Sequence, residues 1–213
     1  MCAKNGAVLA INGDYASYRW NNIHSAETRH KVGILLRDGE IRSSWTRKTG
    51  NSVWPNLDTL AIYPDGNMEV HDTQELTAEE YLEKGATDVL AFGPWIIRDG
   101  EVRKKLNKFP HARAPRTCMG MIEPGHFLVV MAEGRTKASK GASLEYLAEK
   151  MLAKGCVMAF NLDGGETSCI LFMGKQLCKV GGSHSERGYA RKSPEFLAIG
   201  TSAMVEGYNP GAQ

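Results

Sequence analysis

The chain has 213 residues, 42% of them hydrophobic and 23% charged, with a formal net charge of +2. That is enough apolar material for one sizeable core, so the expected organisation is a single domain over residues 1–213. The charges are well mixed, which argues against a nucleic-acid binder, whose footprint is a clustered basic face. The densest basic stretch, Arg103, Lys104 and Lys105 with Lys108 and Arg98 nearby, reads as a solvated loop. No run approaches the roughly 18 apolar residues of a membrane-crossing helix, so no membrane partner is expected. The five cysteines, at 2, 118, 156, 169 and 178, are widely spaced, odd in number and lack any C-x-x-C, so neither a zinc knuckle nor a closed disulfide set is indicated. No secretory signal precedes the first strand, as expected for a cytosolic protein or for an exported one trimmed at its N-terminus.

In chain order the sequence reads as short strands punctuated by glycine turns. A strand over 7–11 comes first and ends in Asn12, Gly13 and Asp14. Hairpins follow at 32–36 with 40–42 around Asp38-Gly39, and at 60–63 with 68–70 around Asp65-Gly66. Others fall at 95–98 with 101–102, at 118–122 with 127–131, and at 170–173 with 176–179. Two helices interrupt them. One spans 77–84 and stops at Gly85. The other spans 143–154, with Ser143 as N-cap and Gly155 as its stop. It feeds a buried strand at 157–160, and the last strand is expected at 195–199, followed by a frayed tail over 205–213. The fold class implied is α+β: an extensive, mainly antiparallel sheet with a few packed helices.

The segment Asn161–Ser168, NLDGGETS, stands between two apolar runs. Asp-Gly and Gly-Gly are ordinary turn pairs, so a plain hairpin is one reading. A hairpin has no need of Asn161 before the turn or Ser168 after it. Polar residues recur at other strand ends: Asn12-Gly13-Asp14, Pro115-Arg116-Thr117, and the stretch from Gly181 to Arg187 containing Glu186. Amides and carboxylates hydrogen-bond sugar hydroxyls, glycines admit close backbone approach, and arginines grip phosphate with two parallel bonds. Together they point to one ligand cleft. The P-loop, the dinucleotide fingerprint, the zincin motif and the serine-hydrolase elbow are all missing, and the six histidines have no ligand spacing.

The words AINGDY, FGPWIIRDG, PRTCMGMI, EGR…SKGASLEYLAEKM, NLDGGETS and SERGYARKSPEFLAIG, in that order, resemble the phosphodiester glycosidase family from about Ala7 to Gly200. The sequence departs from the family pattern at Ala16, Glu166 and Thr167. The resemblance implies hydrolysis of a sugar 1-phosphodiester, of the N-acetylglucosamine-1-phosphodiester kind, at the anomeric carbon. The partner implied is a sugar-phosphate small molecule or a glycan phosphodiester.

Chemistry refines that expectation. Glycosidases normally use two carboxylates, one to protonate a poor leaving group. A phosphomonoester, with a second pKa of about 6, leaves without much help. The site should therefore stress cationic stabilisation of phosphate and one carboxylate at the anomeric carbon. Asp163 suits the carboxylate role, and Glu186, Asp14 and Glu166 compete for a second one. Arg116 and Arg187 suit the phosphate, and the backbone N–H groups around Gly164 and Gly165 could add to it. Asn12, Gly13, Thr117, Asn161 and Ser168 complete the expected binding set. No cofactor is required by this chemistry, although Asp163 with Asp14 could hold a calcium or magnesium ion. Two other readings stay open: a non-catalytic carbohydrate- or phosphosugar-binding domain of the cell envelope, and a metal-dependent phosphodiesterase, which lacks its His/Asp cluster.

Overall fold

The computed structural model describes residues 2–13, 33–45, 57–106, 113–179, 181 and 196–209. They form three antiparallel sheets with few helices, the α+β class expected. The first sheet has the order β13 (Lys175–Gln176), β12 (Ile170–Phe172), β1 (Ala7–Asn12), β14 (Phe196–Thr201). The second runs β10 (His126–Ala132), β9 (Arg116–Glu123), β11 (Met158–Asn161), β7 (Trp95–Arg98), β8 (Glu101–Val102). The third runs β3 (Glu40–Trp45), β2 (Gly33–Arg37), β6 (Asp88–Phe92), β4 (Asp58–Ile62), β5 (Met68–His71). All five expected hairpins are present. The Asp38-Gly39 and Asp99-Gly100 turns place both central residues at positive φ, which matches the twist of the paired strands.

Alternation along the strands assigns the two faces of the second and third sheets to different cores. On β9, Cys118 faces a cluster with Ile96, Ile97, Leu147 and Met151, whereas Met119 and Met121 face a central cluster with Ile11, Leu60, Leu90 and Phe160. That central cluster draws on all three sheets and docks them together. Between the two methionines, Gly120 is required by space: a Cβ there would lie 2.8 Å from both the Met151 Cε and the Met158 carbonyl.

Helix α1 (Cys2–Asn5) is one turn leading into β1. Helix α2 (Ala78–Glu83) starts at Thr77, whose hydroxyl accepts from the Glu80 N–H while the Glu80 carboxylate accepts from the Thr77 N–H. It buries Ala78 and Tyr81 against the third sheet, with Ile34, Leu36, Ala61 and Val89. Helix α3 (Leu144–Leu152) is capped by Ser143 and buries Leu144, Leu147, Ala148 and Met151 against the second sheet. Each large apolar side chain so buried stabilises the fold by about 1.5–3 kcal/mol.

Three expectations meet a different structure. Arg98 and Arg103 are not a solvated patch: both lie against the Trp95 ring, at 4.9 and 4.7 Å, and pair with Asp58, Asp72 and Glu75. Those acids are 23 to 45 positions away in sequence, so no local pattern betrays them. The chain after β14 is held down as far as Asn209: Val205 is buried, and the Glu206 N–H donates to the Met173 carbonyl at 3.1 Å. Finally, β11 and β12 do not pair; they belong to different sheets, so NLDGGETS is a crossover and the hairpin reading fails.

Candidate active site

The crossover is clamped from three sides. Its Leu162 N–H donates to the Thr117 carbonyl at 2.8 Å, Asp163 N–H to the Gly13 carbonyl at 3.0 Å, and Gly165 N–H to the Pro115 carbonyl at 3.0 Å. The end of β1 and the start of β9 thus fix the end of β11. A short 3-10 turn, Gly165–Thr167, then leads to Ser168. Two glycines make the clamp feasible. A Cβ on Gly164 would stand 2.8 Å from the Pro115 oxygen, and Gly165 has φ +63°, the left-handed region.

These bonds correct one expectation. The N–H groups of 163, 164, 165, 167 and 168 donate to protein acceptors, so they do not face a phosphate.

The two asparagines form the framework. Asn12, the last residue of β1 and 2% exposed, donates from Nδ2 to the Asp163 carbonyl at 2.6 Å. Its Oδ1 accepts from the Thr117 hydroxyl at 2.7 Å and from the Cys169 N–H at 2.9 Å. Only a neutral amide can donate and accept this way in so buried a place. Asn161 closes β11. Its Nδ2 donates to the Gly93 carbonyl at 2.8 Å, and the Cys118 thiol lies 3.8 Å from its Oδ1. The FGPW segment is tied to the same residue through Gly93 N–H to the Asn161 carbonyl and Asn161 N–H to the Pro94 carbonyl, each 3.1 Å. Both side chains therefore bond to protein, which makes them supports for the turn.

Asp163 is 5% exposed, and its Oδ1 accepts from the Gly164 N–H at 2.8 Å. Arg116, the first residue of β9, is half-buried. Burial lowers its pKa, the Cys118 thiol below it opposes this, and the charge of Arg135 lowers it further. Beside them, burial pushes the Cys118 thiol up to about 12 and keeps it protonated. Ser168 is 3% exposed, and its hydroxyl has no hydrogen-bond partner among the described residues.

The structure brings together Asn12, Gly13, Arg116, Thr117, Asn161, Asp163, Gly164, Gly165 and Ser168. Asp14, Glu186 and Arg187 lie outside the described residues. Among the described residues, no group of three His, Cys, Asp or Glu side chains is placed to hold a metal ion, and no helix is long and apolar enough to cross a membrane. Sequence reasoning missed Arg135, whose guanidinium lies over Gly165, 3.1 Å from where a Cβ would stand. It sits in the quoted EGR word, and its own φ of +55° after Gly134 is a signal only the backbone reveals.

With this geometry in hand, comparisons place the chain. The sequence profile of the phosphodiester glycosidases matches residues 5–199, and the protein belongs to that family. In sequence it is 25% identical over 183 residues to the SPbeta prophage-derived uncharacterized protein YomE of Bacillus subtilis (strain 168), a match covering 84% of this chain and 26% of that protein. In fold it is similar to the catalytic domain of zebrafish N-acetylglucosamine-1-phosphodiester alpha-N-acetylglucosaminidase, auto-inhibited by its pro-peptide. The TM-score is 0.66 at 20% identity, covering 92% of this chain and 64% of that one. A hypothetical protein from Synechocystis follows with TM-score 0.53 and 15% identity, covering 88% of this chain and 50% of that one. The chain thus spans about a quarter of the prophage relative's length and under two thirds of these two structures.

Proposed function

We propose that this protein, working as one domain over residues 1–213, hydrolyses the anomeric C–O bond of a sugar 1-phosphodiester, releasing free sugar and a phosphomonoester. The observation that carries this reading is the buried Asp163, whose backbone is fixed by Gly13 and Asn12 and whose carboxylate accepts from the Gly164 N–H, beside the start of β9 at Arg116, in a chain of this family. Asp163 faces the anomeric carbon and assists attack or steadies the oxocarbenium-like transition state. Arg116 stabilises charge on the departing phosphate, a group that needs little protonation to leave. Asn12, Asn161 and Thr117 position the turn. Asp14 and Glu186 are the candidates for a second carboxylate, and Arg187 for a further phosphate contact. The zebrafish neighbour's name supports an N-acetylglucosamine 1-phosphodiester as the substrate to try first.

The test is product analysis on N-acetylglucosamine 1-phosphodiesters in heavy-oxygen water. Label in the free sugar is the expected result, since it marks C–O cleavage. Label in the phosphate would mean P–O cleavage and a phosphodiesterase. Binding of the phosphosugar without turnover would leave the carbohydrate-binding reading.

A further inference from the structure

The phosphate side of the cleft, as read so far, has one described cation, Arg116. We propose that Arg135 joins Arg116 across the Gly164–Gly165 turn and that the two guanidiniums hold the substrate's phosphate between them. This rests on the phosphodiester glycosidase reading above and deepens it. Arg135 reaches over Gly165, with Nη1, Cζ and Nη2 at 3.1, 3.6 and 3.7 Å from the position of a Cβ there. A side chain at 165 would strike the guanidinium, so the glycine leaves this arginine room. The loop that carries it is braced. The Ser139 hydroxyl donates to the Glu133 carbonyl at 2.7 Å and accepts from the Gly141 N–H at 3.2 Å, and the Thr136 hydroxyl accepts from the Ser139 N–H at 3.0 Å.

Arg135 makes no ion pair among the described residues. The nearest acid in sequence, Glu133, accepts instead from the Lys179 N–H at 2.7 Å. The Arg116 backbone lies beside Gly164 and the Arg135 guanidinium over Gly165, so the two arginines flank one turn, and a phosphate diester suits two planar forks. The N–H groups of 163, 164, 165, 167 and 168 are already engaged, so side chains are the donors proposed for that anion. The buried Ser168 hydroxyl, whose N–H donates to the Gly165 carbonyl at 3.3 Å, is an additional donor within the same turn.

The experiment compares wild type with Arg135→Gln and Arg135→Lys, by calorimetry with N-acetylglucosamine 1-phosphate and inorganic phosphate, and by turnover on the phosphodiester. Losing one charge-assisted contact should weaken binding of both probes by about tenfold or more in the Gln variant. The Lys variant should recover only part, with melting temperatures unchanged because the side chain is exposed. An uncharged aryl glycoside of the same sugar, if turned over, should be affected much less. Equal affinity in wild type and Arg135→Gln, with turnover intact, would overturn the role of Arg135 and leave the glycosidase reading standing. A wild type that neither binds nor turns over phosphosugars would overturn both.

An independent observation concerns the β12–β13 hairpin. Its register pairs Leu171 with Gln176 and Phe172 with Lys175, which places Cys169 opposite Cys178. The Leu177 N–H donates to the Ile170 carbonyl at 3.0 Å, so the cysteines occupy the next, non-hydrogen-bonded pair. Cα atoms in such pairs lie about 4.5 Å apart, inside the span a disulfide bridges. Neither thiol is in a disulfide in this structure. We infer that Cys169 and Cys178 form a reversible disulfide with a small-molecule disulfide as oxidant. One thiolate attacks the reagent and releases a first thiol, and the second cysteine displaces the other, so two electrons and two protons leave the pair.

Treatment with oxidised glutathione should lower the free-thiol count by two and raise the melting temperature, and dithiothreitol should reverse both. Cys178→Ser should show neither change, whereas Cys156→Ser should behave as wild type. An unchanged thiol count, or a stable glutathione adduct without loss of a second thiol, would overturn the inference.

Discussion

Two polar clusters meet at the FGPW segment, and they treat charge in opposite ways. Around Trp95, every cation has an acid: Arg103 pairs with Asp58 and Asp72, Arg98 with Glu75, and Asp58 also accepts from the Trp95 and Thr73 N–H groups. That cluster sets two cations, Arg98 and Arg103, against three acids, Asp58, Asp72 and Glu75, and ties the second sheet to the third. Around Asp163 the framework is made of neutral amides and backbone carbonyls, with the Arg116 backbone beside Gly164 and the Arg135 guanidinium over Gly165. The first cluster satisfies itself and serves the fold. The second, on the proposed reading, serves a substrate.

The comparison breaks most sharply at Asp163. Asp163→Asn keeps the size of the side chain and the bond from the Gly164 N–H, yet removes the charge. Turnover on a sugar 1-phosphodiester should fall by about 10²–10⁴, while thermal unfolding stays near wild type. Equal rates would make Asp163 a turn residue like any other. Asp58→Asn should do the reverse. It weakens the contact to Arg103 and costs roughly 2 kcal/mol of stability, read by denaturant titration, with turnover preserved at low temperature. Arg116→Lys belongs to the second cluster and should lose about tenfold to a hundredfold in kcat/KM, because an ammonium cannot reproduce two parallel contacts. A variant with wild-type kinetics would remove Arg116 from the site.

The smallest effect is a pH dependence near the first cluster. Burial lowers the pKa of His71, against the opposing charges of Glu75 and Glu69, with Lys84 and Arg98 lowering it further. The folded state thus prefers the neutral ring. Its contribution to stability is complete above the ordinary histidine value and is lost as pH falls through the lowered one. Melting temperature should decline over that window, and His71→Asn should flatten the decline. An identical slope in the variant would assign it to carboxylates instead.

The hairpins were legible because Asp-Gly turns and alternation are local, and the helix starts because Thr77 and Ser143 cap within three residues. Most of the site could be located too, since Asn12, Arg116 and Asn161–Ser168 stand at ends of recognisable strands. What those residues do was harder to read. Nothing near Asn12 in sequence says that its amide would hold the Asp163 carbonyl, or that β11 and β12 would enter different sheets. Arg135 was hidden for a related reason: a lone arginine in a polar loop looks solvated until the backbone turns it over Gly165. The acids that neutralise Arg98 and Arg103 are likewise set by sheet packing.

The bonds around Asn12 also bear on how the molecule is made. Its partners Asp163 and Cys169 lie 151 and 157 positions downstream, and among the described residues β1 pairs with β12 and β14. During synthesis the first strand, AVLAIN, emerges long before either neighbour exists, and must wait as an apolar segment with unpaired backbone groups. Such non-local closure slows folding and leaves a strand open to association with other chains. The Asn161–Ser168 crossover would then be among the last features to form, so recovery of any phosphodiester turnover during refolding should lag behind the hairpins. A chain released before β14 would hold most of its sheets and none of its chemistry.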